Sequence, residues 1–398
     1  MLKGVRVLLG VTGGIAAYKA AELCRLLIKE GAEVRVVMTE ASTKFVSPLT
    51  FETLSGHPVR VRLFPGNGGQ MDHISWADWA QVMVVAPATA NIIGKMANGI
   101  ADDLLSTMIL ALNAPIVICP AMNVNMYENP AVQSNLDLLK KRGLRVMEPE
   151  SGELACGWEG RGRLPDPTDI LEEIKCALSP QDLSNEHVLV SAGPTREPID
   201  PVRFISNHSS GKMGYALAAV ARRRGAEVTL ISGPTNLRKP RGVHFVGVET
   251  AAQMHKAVMN SVQRATVVIM AAAVCDFKPK EARMRKIKKE KVPLTIPLEK
   301  TQDILMDVSK EKGDRLVVGF AAETEELIRN ASEKLKRKNL DFIVANDITV
   351  PGGGFGSDEN KVTILHKDGS EERFPLMSKE EVASVILDRV VEWRKRGD

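Results

Sequence analysis

Apolar and polar positions along the chain change period at regular intervals. Val5 to Leu9 is a short apolar run, Ile15 to about Lys29 reads as a helix, and Glu33 to Met38 is strand-like again. The turn Gly10-Val-Thr-Gly-Gly14 joins the first two, so the pattern predicts a βαβ unit with parallel strands. From His187 the plan recurs: strand Val188 to Ser191, a long polar loop, helix Lys212 to Arg224 and strand Glu227 to Ser232. The helix-to-strand joints match as well, Gly31-Ala-Glu-Val against Gly225-Ala-Glu-Val, each glycine suited to the left-handed residue that closes a helix. Apolar runs at Val82 to Ala86, Ile116 to Cys119, Val267 to Ala271, Leu316 to Phe320 and Phe342 to Ala345 supply further buried strands.

These elements predict two α/β domains with Rossmann-like or flavodoxin-like parallel sheets, residues 1–178 and 188–398. The polar stretch 179–187 is expected to link them. A chain of 398 residues is long enough for two such cores. Hydrophobic residues make up 44% and charged residues 26%, and no apolar run nears the roughly 20 residues of a membrane helix. Met1 leads directly into strand-like sequence without a secretory pattern, and five scattered cysteines form no CxxC or Cys/His cluster. A cytoplasmic protein without a disulfide framework or protein-held metal site is therefore expected. The net charge of +4 is too small to argue for nucleic acid.

Ligands of open parallel sheets lie beyond the carboxyl ends of the strands, which directs attention to the segments that follow them. In the first half, Gly10-Val-Thr-Gly-Gly-Ile-Ala lies between strand and helix and can turn backbone N–H groups toward a phosphate. It lacks the GxGxxG spacing of dinucleotide folds, and Thr39 with Glu40 ends the second strand where an acidic ribose ligand would stand. Three further segments follow the sheet edge or could fold over it: Ala86-Pro-Ala-Thr-Ala-Asn91, Pro120-Ala-Met-Asn-Val-Asn-Met126 and Gly152-Glu-Leu-Ala-Cys-Gly157.

Together with Met71-Asp-His-Ile74, these segments resemble the flavin-dependent cysteine decarboxylase family, which includes phosphopantothenoylcysteine decarboxylases. The resemblance implies FMN held by Gly13, Gly14, Ile15, Thr39, Thr89, Ala90, Asn91 and Ala121. It further implies His73 and Asn123 as catalytic residues, Met126 as a substrate contact and Cys156 as proton donor. Such chemistry needs an electron sink, because direct loss of CO2 from a cysteinyl carboxylate leaves an unstabilised carbanion.

In the second half the loop from Ser191 to Gly214 far exceeds a usual strand-to-helix joint. Ser209-Ser-Gly-Lys212 is not a Walker A motif, since Ser206 and Met213 stand where glycine and Ser or Thr are required. Lys212 at a helix start remains able to receive a phosphate or carboxylate. The stretch AGPTREPIDPVRFISNHSSGKMG is similar to phosphopantothenoylcysteine synthetases, found fused behind the decarboxylase in bacteria. That resemblance implies ligation of 4′-phosphopantothenate to cysteine with CTP and Mg2+, through an acyl-cytidylate. It places Asn207, Ala272 and Lys286 in catalysis, and Asp276, Lys286, Gln302, Asp303, Ile304, Leu305, Phe320, Lys334 and Lys338 in the CTP site. Thr301-Gln302 stands where the family usually shows Asn-Pro.

The basic stretch Arg283 to Lys291 fits charge compensation for a triphosphate, and no aromatic residue interleaves it as single-stranded nucleic acid would favour. The loop Pro351-Gly-Gly-Gly-Phe-Gly356 is open to two readings, a hairpin crossing or a flap over a site. A pyridine-nucleotide oxidoreductase is the main rival and would require dinucleotide spacing in a glycine loop; a flavin-binding regulatory or RNA-binding protein is a third reading. The resemblance also implies a homo-oligomer, a dodecamer through the decarboxylase domains with paired ligase domains, without membrane or nucleic-acid partners.

Overall fold

A computed structural model describes residues 2–64, 72–153, 157–287, 295–323, 326–347, 354 and 356–397. It divides into two compact units, Met1–Ser179 and Pro180–Asp398. Among the described residues no helix is long and apolar enough to cross a membrane.

In the first unit, β1 (Arg6–Val11), β2 (Glu33–Met38), β3 (Val82–Ala88), β4 (Ile116–Pro120) and β5 (Arg145–Val146) form one parallel sheet in the order β2-β1-β3-β4-β5. This is the flavodoxin order, whose direction reverses between β1 and β3. Period-two alternation divides the strand residues between two cores. Val7, Leu9 and Val11 face α1 (Ala17–Lys29) and α8 (Pro167–Leu178), while Leu8, Met83 and Val85 face α4 (Ala90–Asn98), α5 (Leu104–Ala111) and α7 (Pro130–Lys141). Full burial of each such leucine is worth roughly 2 kcal/mol. Helix α1 buries Ala17, Ala20, Leu23, Cys24 and Leu27, the stripe that a 3.6-residue period sets against a sheet. The remaining elements are α2 (Pro48–Ser55), α3 (Asp72–Trp79), α6 (Val124–Glu128) and an antiparallel hairpin of β6 (Glu150–Glu153) and β7 (Glu159–Arg163).

The second unit starts on the same plan and then diverges. Strands β8 (His187–Ala192), β11 (Glu227–Ser232), β12 (His244–Gly247), β13 (Val267–Met270), β16 (Leu316–Glu323) and β17 (Phe342–Asp347) pair in parallel as β12-β11-β8-β13-β16-β17. Counted from β8 this is the Rossmann order, with its switch point between β8 and β13. β19 (Val362–His366) and β20 (Glu371–Arg373) extend the sheet antiparallel. Helices α9 (Lys212–Arg223) and α13 (Lys379–Gly397) cover one face. The other is covered by α10 (Ala251–Val262), α11 (Ile304–Lys310) and α12 (Leu327–Arg337). Two small hairpins, β9 (Arg196–Pro198) with β10 (Phe204–Ser206) and β14 (Phe277–Pro279) with β15 (Leu298–Lys300), grow from loops after β8 and β13. β18 (Glu359–Asn360) and β21 (Met377–Ser378) form a further short pair.

The two expected helix-closing glycines have φ of 86° at Gly31 and 93° at Gly225, in the left-handed region. Glu33–Met38 and Glu227–Ser232 have the bounds read from sequence, whereas β1 is shifted to Arg6–Val11 and α1 begins at Ala17 because the glycine turn continues through Ala16. The expected linker is packed rather than free. Leu183 is 1% exposed, Asp182 takes a two-bond fork from Arg224 at 2.8 and 2.6 Å, and Gln181 donates to the Arg223 carbonyl. Its polar side chains serve as anchors, which composition alone cannot distinguish from solvated linker residues.

Candidate active sites

In the first unit the carboxyl ends of β1, β3 and β4 open into a cavity of about 1540 Å³. Its wall includes Gly13, Gly14, Ile15, Thr39, Thr89, Ala90, Asn91, Ala121, Asn123 and Met126. Four helix starts meet there, those of α1, α4, α5 and α6. Neither Ala16, which precedes α1, nor Thr89, which precedes α4, caps its helix with a side-chain bond; in α1 the Ala17 and Lys19 N–H groups already donate to the Gly14 and Ala16 carbonyls, so the first turn of α4 is the fuller donor set for a ligand. Thr12 ties the two loops together: its Oγ1 donates to the Pro87 carbonyl at 2.7 Å and accepts from the Thr89 N–H at 3.1 Å. Paired uncapped helix starts, a mixed polar and apolar wall and room for a tricyclic ring are the donor set that a flavin mononucleotide requires, so the residues present fit the group.

Asn123 begins α6, and its Oδ1 accepts from the Asn125 N–H at 2.9 Å, which fixes the plane of the amide. The β6–β7 hairpin lies against this segment. Gly162 has φ of 151° and its carbonyl accepts from the Met122 N–H at 3.0 Å; a Cβ there would fall 2.1 Å from the Met122 oxygen. Glu153, Gly157, Gly162 and Arg163 of this hairpin belong to the cavity wall. Cys156, between them in sequence, lies outside the described residues, as does Met71.

His73, on α3, is not on the cavity wall, and its buried Nδ1 has no hydrogen-bond partner among the described residues. The structure thus gathers the expected flavin and substrate residues but leaves His73 apart. Sequence reading missed Lys95, Asp102 and Asp103, which also line the cavity. The Lys95 ammonium bridges both carboxylates at 2.7 Å. Burial alone would lower the Lys95 pKa and raise that of Asp103, but their pairing, with the Ser106 N–H on Asp103, reverses both directions. A capping-box signal, Asp103 with Ser106 opening α5, was readable in the sequence; the partner on α4 was not. Cys24, Cys119, Cys176 and Cys275 are buried and unbridged, and burial pushes the Cys24 thiol up to about 12, so it is inert near neutrality.

In the second unit the switch point between β8 and β13 collects the long loop. Asn207 donates through Nδ2 to the carbonyls of Ala273 and Val274, at 3.3 and 2.9 Å, and the Ala272 N–H donates to Ser191 Oγ at 3.2 Å. Asp276 is exposed at the start of β14, where the Thr301 N–H donates to its carbonyl at 2.9 Å and Thr301 Oγ1 to that of Cys275 at 2.6 Å. Thr301 therefore holds the aspartate segment by hydrogen bonds. Asp303 caps α11 and pairs with Lys338, whose charge, with the Met306 N–H, overcomes burial and lowers the carboxyl pKa. Lys334 donates to the Phe320 carbonyl at 2.7 Å. Gln302 is exposed, whereas Ile304 and Leu305 are core residues that can offer a nucleotide only backbone.

Arg283, Arg285 and Lys286 are exposed; Lys288, Lys289 and Lys291 lie outside the described residues. Lys212 Nζ donates to the Gly356 carbonyl at 2.9 Å and pairs with Asp358 at 2.7 Å, while buried Lys379 donates to the carbonyls of Gly354, Ser357 and Glu359. Two lysines thus tie the described part of the late glycine-rich loop to the starts of α9 and α13. Among the described residues no group of three His, Cys, Asp or Glu side chains is placed to hold a metal ion.

Residues 1–179 match the family model described as Flavoprotein, and residues 183–393 match that described as DNA/pantothenate metabolism flavoprotein C-terminal domain. The chain is 48% identical over 401 residues to the coenzyme A biosynthesis bifunctional protein CoaBC of Bacillus subtilis (strain 168), covering 100% of this chain and 99% of that one. Among solved structures, it is 44% identical to the C-terminal domain of a coenzyme A biosynthesis bifunctional protein CoaBC, covering 54% of this chain and 99% of that one with a TM-score of 0.48. It is 36% identical to the FMN-dependent cysteine decarboxylase SpaF, covering 45% and 97% with a TM-score of 0.40.

Proposed function

The chain belongs to the family of coenzyme A biosynthesis bifunctional proteins CoaBC, and from that premise we propose two consecutive reactions. The second unit joins 4′-phosphopantothenate to cysteine with CTP, and the first decarboxylates the resulting 4′-phosphopantothenoylcysteine to 4′-phosphopantetheine with FMN. The observation that carries this reading is the convergence of Gly13–Ile15, Thr89–Asn91, Ala121, Asn123 and Met126 on one cavity.

Bound FMN supplies reversible two-electron oxidation, which turns the cysteinyl carbon–sulfur group into a sink for the carbanion left by CO2. The first turns of α1 and α4 receive its phosphate, with Thr39 and Ala121 lining the remainder. Asn123 binds the substrate carboxylate through its amide N–H donors and, having no titratable proton, leaves it ionised for loss of CO2. Met126, about half exposed, flanks the substrate. Cys156 returns a proton to carbon. His73 accepts the thiol proton; standing off its own cavity wall, it serves the cavity of a neighbouring copy. Assembly of the first units is favoured by exposed Ile15, Tyr18, Phe45, Leu49 and Ile74.

For ligation, a carboxylate oxygen of phosphopantothenate attacks the α-phosphorus of CTP and pyrophosphate departs. The cysteine amine then attacks the acyl carbon, and CMP departs with the C–O electron pair. Activation is needed because a free carboxylate is a poor acceptor for an amine. Lys286 and its basic neighbours offset the triphosphate charge, Asn207 holds the acyl-cytidylate beside Ala272, and Asp276, Gln302 to Leu305, Phe320, Lys334 and Lys338 frame the nucleotide. Mg2+ brought in with CTP would supply further compensation for the triphosphate charge. The cytoplasm, where CTP is available, is the compartment this reading requires.

Purified protein should be yellow and should release CO2 from phosphopantothenoylcysteine. Lys286→Gln should lower CTP-dependent pyrophosphate release by about tenfold or more while decarboxylation continues. Colourless protein that FMN cannot reconstitute would remove the first assignment, and an unimpaired Lys286→Gln ligase would remove the role of Lys286.

A further inference from the structure

Asp200 opens the turn Asp200-Pro-Val-Arg203 of the β9–β10 hairpin, with aspartate first and proline second as a type I turn prefers. Its Oδ1 accepts from the N–H groups of Val202 and Arg203, both at 2.8 Å. Either Asp or Asn can make those two bonds, so the second oxygen and the charge are surplus to the turn. That oxygen is directed elsewhere. Oδ2 meets Arg203 Nε at 3.1 Å and Nη2 at 2.8 Å, and it accepts from the Ile287 N–H at 3.1 Å. Arg203 Nη2 also donates to the Ile287 carbonyl at 2.6 Å. Both backbone polar groups of the residue after Lys286 are therefore held. On the other side, the Arg283 N–H donates to the Ile199 carbonyl at 2.9 Å, so exposed Lys286 lies between two anchors on the same hairpin.

We propose that Asp200 is a positioning residue for the ligation, fixing through Arg203 and the Ile287 backbone the point from which Lys286 reaches the nucleotide. The proposal rests on the reading of Lys286 given above. A lysine has a flexible four-carbon stem and gains little from its charge unless its root is held, because orientation accounts for much of the advantage of a bound group. The Asp200 side chain is 0% exposed, and a carboxylate so enclosed is tolerable only when fully paired. Burial alone would raise its pKa, but the N–H groups of Val202, Ile287 and Arg203, with the guanidinium, hold it at about 2. It is thus ionised wherever the enzyme works.

The test uses the full chain as Asp200→Asn, Ile287→Pro, Lys286→Gln and the Asp200→Asn/Lys286→Gln double variant. Pyrophosphate release is followed against CTP concentration, with thermal melting and decarboxylation of supplied phosphopantothenoylcysteine recorded alongside. Asp200→Asn keeps the turn but presents an amide donor to Ile287; Ile287→Pro removes the N–H that Asp200 Oδ2 accepts while leaving the aspartate and its two turn bonds in place. Each should lower kcat/KM for CTP by about tenfold or more, the loss expected for a hydrogen bond to a charged group. Decarboxylation should stay close to the parent in both; Asp200→Asn should melt lower because it breaks a buried ion pair, whereas Ile287→Pro, which leaves that pair in place, should melt close to the parent. In the Lys286→Gln background Asp200→Asn should add less than about twofold, because the two act as one unit.

Parental CTP kinetics in either single loop variant, or a full multiplicative loss in the double variant, would overturn the positioning role. Should Asp200→Asn fail to fold, Ile287→Pro decides alone. Full activity of Lys286→Gln would overturn the reading of Lys286 and the proposal with it. A severe Lys286→Gln defect beside an unaffected Asp200→Asn overturns the positioning role only.

Discussion

Replacing Gly162 by alanine should uncouple the two activities. An added Cβ would lie 2.1 Å from the Met122 oxygen and 3.3 Å from its carbonyl carbon. No rotamer change relieves a clash with backbone, and φ of 151° is itself strained for a residue with a side chain. The strained conformation costs about 1–3 kcal/mol, overpacking about as much again, and loss of the Met122 N–H bond about 1 kcal/mol. Local opening of a surface hairpin requires less than global unfolding, so β6–β7 should shift off the Asn123 segment while the unit stays folded. A displacement of about 1 Å at a reacting centre lowers a rate by about a hundredfold. In a full-chain assay, CO2 release from phosphopantothenoylcysteine should fall by that order while CTP-dependent pyrophosphate release is unchanged. Wild-type decarboxylation by Gly162→Ala would refute the claim that this hairpin builds the decarboxylase site.

Other perturbations test the electrostatics and the caps. Asp103→Ala removes the cap of α5 and the partner of Lys95, and should cost about 1 kcal/mol or more in thermal melting. Asp103→Asn, which can still cap, should cost less; equal losses would contradict the capping argument. Tyr127 donates to Glu148 Oε2 at 2.8 Å, and burial, then that carboxylate, raises its hydroxyl to about 12. The native state therefore keeps a proton that the unfolded chain releases from about pH 10, so stability should fall between about pH 10 and 12. Tyr127→Phe should lose that component in denaturant titrations at stepped pH; an unchanged slope would count against it.

How much of this was legible in the sequence follows from what each signal depends on. Apolar runs such as Glu33–Met38 and Glu227–Ser232 were readable because strand burial is written in local pattern. The glycine turns and helix starts placed Gly13–Ile15 and Thr89–Asn91 at one sheet edge, which the parallel topology made into a cavity. Sheet order was not readable: both halves begin alike, yet one sheet follows the flavodoxin order and the other the Rossmann order. Pairings between distant residues were also hidden. Lys212 with Asp358 and Asp200 with the Ile287 backbone depend on loops meeting in space, which no local pattern encodes. Polar residues misled at Gln181 and Asp182, where hydrogen bonding to the core resembled solvation in composition. The placement of His73 off the cavity wall likewise could not follow from a motif.

The central claim is that one chain carries out acyl activation and decarboxylation in series. The most direct measurement supplies phosphopantothenate, isotopically labelled cysteine, CTP and Mg2+ to the FMN-loaded protein and follows products by mass spectrometry. The account predicts labelled phosphopantetheine together with CO2, CMP and pyrophosphate in equal amounts. Accumulation of none of these, or of labelled phosphopantetheine without CTP consumption, would contradict it.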